Sequence, residues 1–217
     1  MIIDIHPHII SDDTVKYPIT PLGNKRSKWS EERGSLTAEK LIDAMKSAGV
    51  DKAVVVHSTT TYGYNCDYVA DSAAKYPEFL RGVGCVDFLA EDAVERLNYW
   101  TKKRGLIGIR LFSGGGTSSA QASWIIDPKT FPAWEWAQET KTPIIMQLRG
   151  PSLGMLRELM DKFPGLNLLL GPACCAPGWP GAAWNTPPSP SRCPPAHGAA
   201  PGPPRWRSRE PWCRRTG

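Results

Sequence analysis

The sequence predicts an α/β protein built on a parallel sheet, and three observations carry that reading. Short β-branched or leucine-rich runs alternate with segments of helical period from the N-terminus to Leu170. The runs are apolar on both faces, as parallel strands covered by helices must be. Each of the first five ends in a polar or charged residue. Two architectures satisfy these observations, an open doubly wound sheet and a (β/α)8 barrel. The first βα turn reads "HPHIISDD" where a dinucleotide-binding sheet needs G-x-G-x-x-G.

The elements follow in order. A first strand covers residues 2–6, and a loop runs through "KYPITPLGNKRSKW". Thr37 is placed to cap a helix that presents Leu41, Ala44, Met45 and Ala48 on one face, and Gly49 stops it. Further strands are predicted at 52–57 ("KAVVVH"), 80–86, 106–112 ("LIGIRLF"), 143–148 ("PIIMQL") and 166–170 ("LNLLL"). Helices are expected between them at about 66–76, 90–103, 130–140 and 152–163, the last burying Leu153, Leu156, Leu159, Met160 and Phe163. That makes about six βα units, an incomplete barrel if the sheet closes.

Composition changes sharply at Gly171. Residues 1–170 carry 20 basic and 20 acidic side chains, so the net charge of +5 belongs to the remainder. The neutral body gives no electrostatic reason to expect a nucleic-acid partner. Residues 171–217 contain no Leu, Ile, Val, Met, Phe, Tyr or Lys, and hold more than half of the 21 prolines. Such a segment cannot bury a core and is expected to be disordered. It reads either as a Pro-rich interaction tail or as GC-rich DNA translated out of frame. The second reading is preferred, because the change falls at the end of a strand, in the middle of an αβ repeat. No run of about 18 apolar residues suggests a membrane span. The N-terminus shows no export signal, so cytoplasmic, reduced thiols are expected for the six cysteines.

Chemistry in a parallel αβ barrel gathers at the carboxyl ends of the strands. The strand ends supply Asp4, His6 and His8, then His57 and Ser58, Asp87, Arg110, and Gln147 with Arg149. So many polar groups beneath packed helices imply a shared pocket. Strand alternation sets Asp4, His6 and His8 on one face, with Ile3 and Ile5 turned to the helices. The two imidazoles read either as ligands of one divalent metal, zinc by preference, or as hydrogen-bonded strand-end histidines. Arg110 and Arg149 suggest bidentate recognition of a small carboxylate substrate, or else salt bridges to Asp87 or Asp127. "SGGG" at 113–116 reads as a flexible loop in preference to a phosphate cradle. Trp124, Trp134 and Trp136 either wall the pocket or, for Trp134 above all, belong to the core.

Taken together, "IDIHPH", "LIDAMKSAGVDKAVVVHS", "GLIGIRLF", "SWIIDPKTFPAWEWA" and "TPIIMQLRGPSLGMLRELMDKFPGLNLLL" resemble the amidohydrolase superfamily, in its amidohydrolase-related (amidohydrolase 2) branch. The resemblance covers residues 1–170. That branch includes 2-pyrone-4,6-dicarboxylate lactonases, sugar lactonases and metal-dependent decarboxylases. The resemblance implies a (β/α)8 barrel and a hydrolase acting on a lactone or amide bond. It implies His6 and His8 as metal-binding and catalytic residues, with zinc as the usual ion and a metal-free site in some lactonases. It matches Arg110 to a strand-four arginine that contacts substrate carboxylate in dicarboxylate lactonases; Arg149, Gln147, His57 and Asp87 are expected to bind substrate from their places at the strand ends. Gln147 in "IMQLRG" is similar to the lactonase side, whereas decarboxylases tend to carry His there. The branch ends the sixth strand with "LLLDH" and carries an Asp on strand eight; this chain reads Gly171-Pro172 after "LNLLL" and has no counterpart of that Asp. With six strands, strands one and six are expected to be unpaired edges that invite aggregation.

Overall fold

The computed structural model describes residues 1–113, 117–148 and 152–171. Arg149, the glycines at 114–116 and the tail from residue 172 lie outside the described residues, as do the readings that fall on them. Six strands form one parallel sheet: β1 (Ile3–Asp4), β2 (Lys52–Val56), β3 (Leu80–Gly84), β4 (Gly108–Phe112), β5 (Ile144–Gln147) and β6 (Leu168–Leu170). Their spatial order is β1-β2-β3-β4-β5-β6. A doubly wound sheet reverses its order at a switch point; this one never does. The fold is a half-barrel, an incomplete (β/α)8 barrel of six parallel strands.

Among the described residues the crossovers carry seven α-helices: α1 (Lys28–Arg33), α2 (Ala38–Ala48), α3 (Thr59–Tyr62), α4 (Asp67–Lys75), α5 (Ala93–Asn98), α6 (Phe131–Thr140) and α7 (Ser152–Lys162). Thr37 caps α2 by accepting from the Lys40 N–H, and Gly49 ends it at φ 71°. The buried face of α2 is Leu41, Ile42 and Met45, while Ala44 and Ala48 are exposed. The small alanines yield the contact to the larger β-branched neighbour. The π turn Tyr99–Lys103 extends α5 to the length the sequence suggested. Helices α1 and α3 fall in stretches that read as loop, too short for a periodic signal. On α7, Leu159 and Phe163 are buried but Met160 is 48% exposed, because it is turned about 100° from Leu159. No helix among the described residues is long and apolar enough to cross a membrane.

Two apolar clusters fill the space between sheet and helices. One joins Ala53, Val55 and Leu80 to α2 and α4. The other joins Ile109, Leu111, Ile144 and Met146 to α5, α6 and α7. Trp124 and Trp134 belong to the second, with ring planes 7° apart and centroids 6.2 Å apart. The Trp134 Nε1–H donates to the Ile125 carbonyl at 3.0 Å. These tryptophans are core; Trp136 is buried beside them and donates to Asn98 Oδ1 at 3.0 Å. The opposite, concave face of the sheet carries Val54, Val56, Val83 and Ile145.

The first strand departs from regular alternation. Ile3 stands beside Lys52 and Asp4 beside Ala53. The Ile2 carbonyl accepts from the Lys52 N–H, so an unbroken ladder would bring the carbonyl of residue 6 to the Val56 N–H. Instead the Pro7 carbonyl takes that bond, at 2.9 Å. One extra residue is therefore accommodated between Asp4 and Pro7, a bulge, as expected where a proline cannot donate to the ladder. The bulge sets Asp4 level with helix-facing Ala53, off the histidines' face, while its Oδ1 still accepts the His6 N–H at 3.1 Å. It also brings Ile5 and His6 together onto the lining of the concave face. Ile3 and Ile5 do not pack under helices; they are 43% and 62% exposed, since β1 has no second neighbour among the described residues.

Trp134→Ala removes a fully buried indole of α6. It is expected to lower the unfolding free energy by about 3–5 kcal/mol, read as a lower urea midpoint. An unchanged midpoint would show that the stacked indoles do not anchor the helix layer.

Candidate active site at the carboxyl ends of the strands

Parallel strands deliver their carboxyl ends to one rim, and the side chains there converge. The His6 and His8 rings meet edge to face, with centroids 5.2 Å apart. His8 Nδ1 lies 2.6 Å from the Val56 carbonyl oxygen. A carbonyl only accepts, so Nδ1 carries the proton. His57, immediately after β2, is fully buried, and its Nε2–H donates to the Gly63 carbonyl at 2.8 Å. Arg110 extends from β4 and donates through Nη2 to Gln147 Oε1 on β5.

The electrostatics of this cluster are governed by desolvation. Burial holds the His8 and His57 imidazoles down at about 4, and the Arg110 guanidinium pushes both the same way. His6 is lowered too, first by burial and then by Arg110, with Asp4 opposing. All three imidazoles are therefore neutral near pH 7. Arg110 is itself lowered by burial. It forms no salt bridge among the described residues, to Asp87, Asp127 or any other carboxylate. Its Nε is buried without an acceptor.

Asp87 belongs to the neighbouring β3 end. It accepts the Leu89 N–H at 3.0 Å and lies near the Tyr64 phenol, whose pKa its charge helps to raise. The Tyr64 hydroxyl donates to the Thr117 carbonyl, tying the loop after β2 to the loop after β4. Burial pushes the Tyr64 phenol up, as it does the Cys85 thiol beside Arg110. Ser58 pairs with Thr61 at 2.9 Å, within α3 and its cap, and is structural. Tyr64 and Cys85 were absent from the sequence reading. Cys85 directly follows β3, and that position was the available signal; Tyr64 lies on a loop and gave none.

Neutral imidazoles suit a divalent ion, but a catalytic zinc takes three protein ligands. Among the described residues no group of three His, Cys, Asp or Glu side chains is placed to hold a metal. His6 and His8 thus supply two donors, and the described residues do not complete a metal site.

A polar cluster at the carboxyl rim of a sequentially ordered parallel half-barrel defines an enzyme-type (β/α) scaffold. The model of one family, described as amidohydrolase, matches residues 3–171, and the chain belongs to that family. No curated protein sequence matches the chain. Solved structures show the same fold at low identity. A probable 2-pyrone-4,6-dicarboxylic acid hydrolase from Acinetobacter baumannii, with citric acid bound, aligns at TM-score 0.61 and 16% identity, over 78% of this chain and 57% of that one. An amidohydrolase from Burkholderia multivorans with bound zinc aligns at 0.59 and 17%, over 78% and 57%. A dihydroxybenzoic acid decarboxylase from Polaromonas, with manganese and 2-nitroresorcinol, aligns at 0.56 and 18%, over 79% and 65%. The chain spans less than two thirds of the length of these three proteins.

The buried histidines set a pH dependence. His8 and His57 bind protons at about 4 when folded, against 6.5 for the ordinary side chain. The unfolded chain takes up protons first. Stability is therefore full above the ordinary value, declines as pH falls, and is lost through the folded value. The loss is on the order of 3 kcal/mol per histidine. Urea midpoints measured between neutral pH and about pH 5 should fall. A flat profile over that window would show that these rings are not buried and neutral.

Proposed function

We propose that the chain is a hydrolase of the lactonase kind, acting on a lactone or amide bond of a small carboxylate-bearing molecule. One observation carries this reading: Arg110 is a desolvated cation with no carboxylate partner among the described residues, oriented by Gln147. A buried guanidinium is costly unless an anion completes it, and a planar fork matches a carboxylate bidentately. Arg110 and Gln147 would hold the substrate carboxylate, with Arg149 as a second anchor and Asp87 at the neighbouring strand end. The neutral imidazoles of His6 and His8 would face the scissile carbonyl, with His57 beside them. The dicarboxylate hydrolase among the fold neighbours supports this class of substrate.

Manganese and zinc in two fold neighbours support a divalent ion at the same rim. His6 and His8 would be this chain's ligands to it. When bound, such an ion polarises a carbonyl or activates water; the described residues supply two ligands, so no step is assigned to it. Decarboxylation is the second reading, favoured by the dihydroxybenzoate decarboxylase fold; Gln147 on β5 favours the lactonase. The neutral body and the free, buried thiols of Cys66 and Cys85 support a small-molecule enzyme of a reducing compartment, the cytoplasm.

The test follows ring opening of 2-pyrone-4,6-dicarboxylate and CO2 release from 2,6-dihydroxybenzoate, with carboxylate binding measured alongside by calorimetry. Ring opening without CO2 release is expected. Arg110→Met should weaken carboxylate binding about 10–100-fold, since hydrogen bonds to charged groups contribute about 1.5–3 kcal/mol. CO2 release alone would favour the decarboxylase. Carboxylate binding that is absent, or indifferent to Arg110→Met, would remove the basis of the reading.

A further inference from the structure

The sheet curls far enough that its two outer strands border one cavity. Its volume is about 450 Å3, and its lining runs from Ile5 and His6 on the β1 side, across Val83 and Ile145, to Leu170 and Gly171 at the end of β6. That volume lies within the range of small-molecule sites, about 300–1,000 Å3. His6 is the one titratable side chain in the lining; the others are aliphatic, proline or glycine. The cavity is open along an apolar rim, where Ile5 is 62% exposed, Ile107 44%, Leu169 43% and Leu170 54%. A contiguous apolar patch rimmed in this way marks a surface that something covers.

A second copy, an unlike chain and the continuation of this chain are the available occupants, and the sequence favours the last. Gly171, which ends the described body, is itself part of the lining, so residue 172 starts at the cavity. Residues 172–191 carry no Asp, Glu, Lys, Arg or His, and the first charge after Gly171 is Arg192. Within that uncharged stretch stand Trp179 and Trp184, among alanines, prolines and glycines. Trp179 lies at most about 30 Å of chain from Gly171, well within reach of the whole concave face. A segment joined to the rim meets the cavity at an effective concentration on the order of millimolar, which a separate chain does not match. The stretch has no aliphatic residue larger than alanine with which to build a core of its own. It needs none here, because the cavity already supplies an apolar wall and each indole brings about 150–250 Å2 to bury.

We propose that residues 172–191 close over the open concave face, seating Trp179 and Trp184 against the apolar cavity between β1 and β6. His6 belongs both to this cavity and to the rim cluster. The cover therefore excludes water from one side of that imidazole and forms a floor to the candidate site. It does so whatever Arg110 binds.

The test titrates the full chain with Nile red, a neutral dye whose emission rises in apolar surroundings, and follows its sedimentation in parallel. The unaltered chain is expected to bind little dye and to sediment as a monomer. Trp179→Ser/Trp184→Ser should bind the dye about tenfold or more tightly, the factor that matches burial of one large apolar side chain. Trp206→Ser/Trp212→Ser, beyond Arg192, should behave as the unaltered chain does. The near-ultraviolet circular dichroism of the stacked Trp124 and Trp134 should be the same in all three, so that a gain in dye binding reports uncovering and not unfolding. Ready dye binding by the unaltered chain overturns the proposal, whatever the variants do. Dye exclusion by a dimer overturns it too and makes a second copy the cover. A monomer that still excludes the dye after Trp179→Ser/Trp184→Ser, or that gains binding equally from the distal pair, removes the role of these two indoles and the proposal with it.

Discussion

A parallel strand cannot be joined to its neighbour by a tight turn; the chain must cross back over the sheet each time. That constraint organises this protein. Each of five crossovers returns the backbone to the amino end of the sheet, so every strand points the same way and every carboxyl end reaches the same rim. The apolar residues of the strands divide between a helix-covered face and a concave face. The polar residues that terminate the strands have nowhere to go except toward one another. His6, His8, His57, Arg110 and Gln147 come from four strands far apart in sequence and meet because the crossovers share one hand and one direction.

Once they meet, burial decides their chemistry. A guanidinium beside three imidazoles in water would change little. Here desolvation disfavours every charged form, and Arg110, the hardest to deprotonate, keeps its charge while the histidines give up theirs. The result is one fixed cation among neutral donors and acceptors. Backbone carbonyls of Val56 and Gly63 then choose which nitrogen of His8 and of His57 holds its proton. The site's polarity is thus set by main-chain geometry as much as by side-chain identity.

Much of this was legible in the sequence. The six strands, their parallel arrangement and the convergence of His6, His8, His57, Arg110 and Gln147 followed from hydrophobic period and from the residue types that end each run. What was not legible depended on single-residue geometry. Strict alternation puts Asp4 on the histidines' face, but the ladder slips by one residue before Pro7, so Asp4 leaves that face and meets His6 only at its backbone N–H. Helix α3 has four residues, too few to show a period, yet it builds the turn that buries His57. Tyr64 sits on that same connection, and its bond to Thr117 and its closeness to Asp87 are products of tertiary approach. A salt bridge to Asp87 or Asp127 was a reasonable reading of Arg110. The structure pairs it with an uncharged amide instead, because Gln147 stands two residues beyond Ile145, the partner of Arg110 on the adjoining strand, and so on the same face.

The unbroken neighbour-to-neighbour order of the strands has a consequence in time. Each strand pairs with the one synthesised just before it, so no contact in the sheet waits for a distant segment. Pairing can advance as the chain emerges from the ribosome, one βα unit at a time, with short loop closures at every stage. During that advance the newest strand always presents an open edge until its successor arrives. The rate of synthesis and the rate of strand pairing are therefore coupled, and the interval between successive strands is when this protein is most exposed to association with other nascent chains.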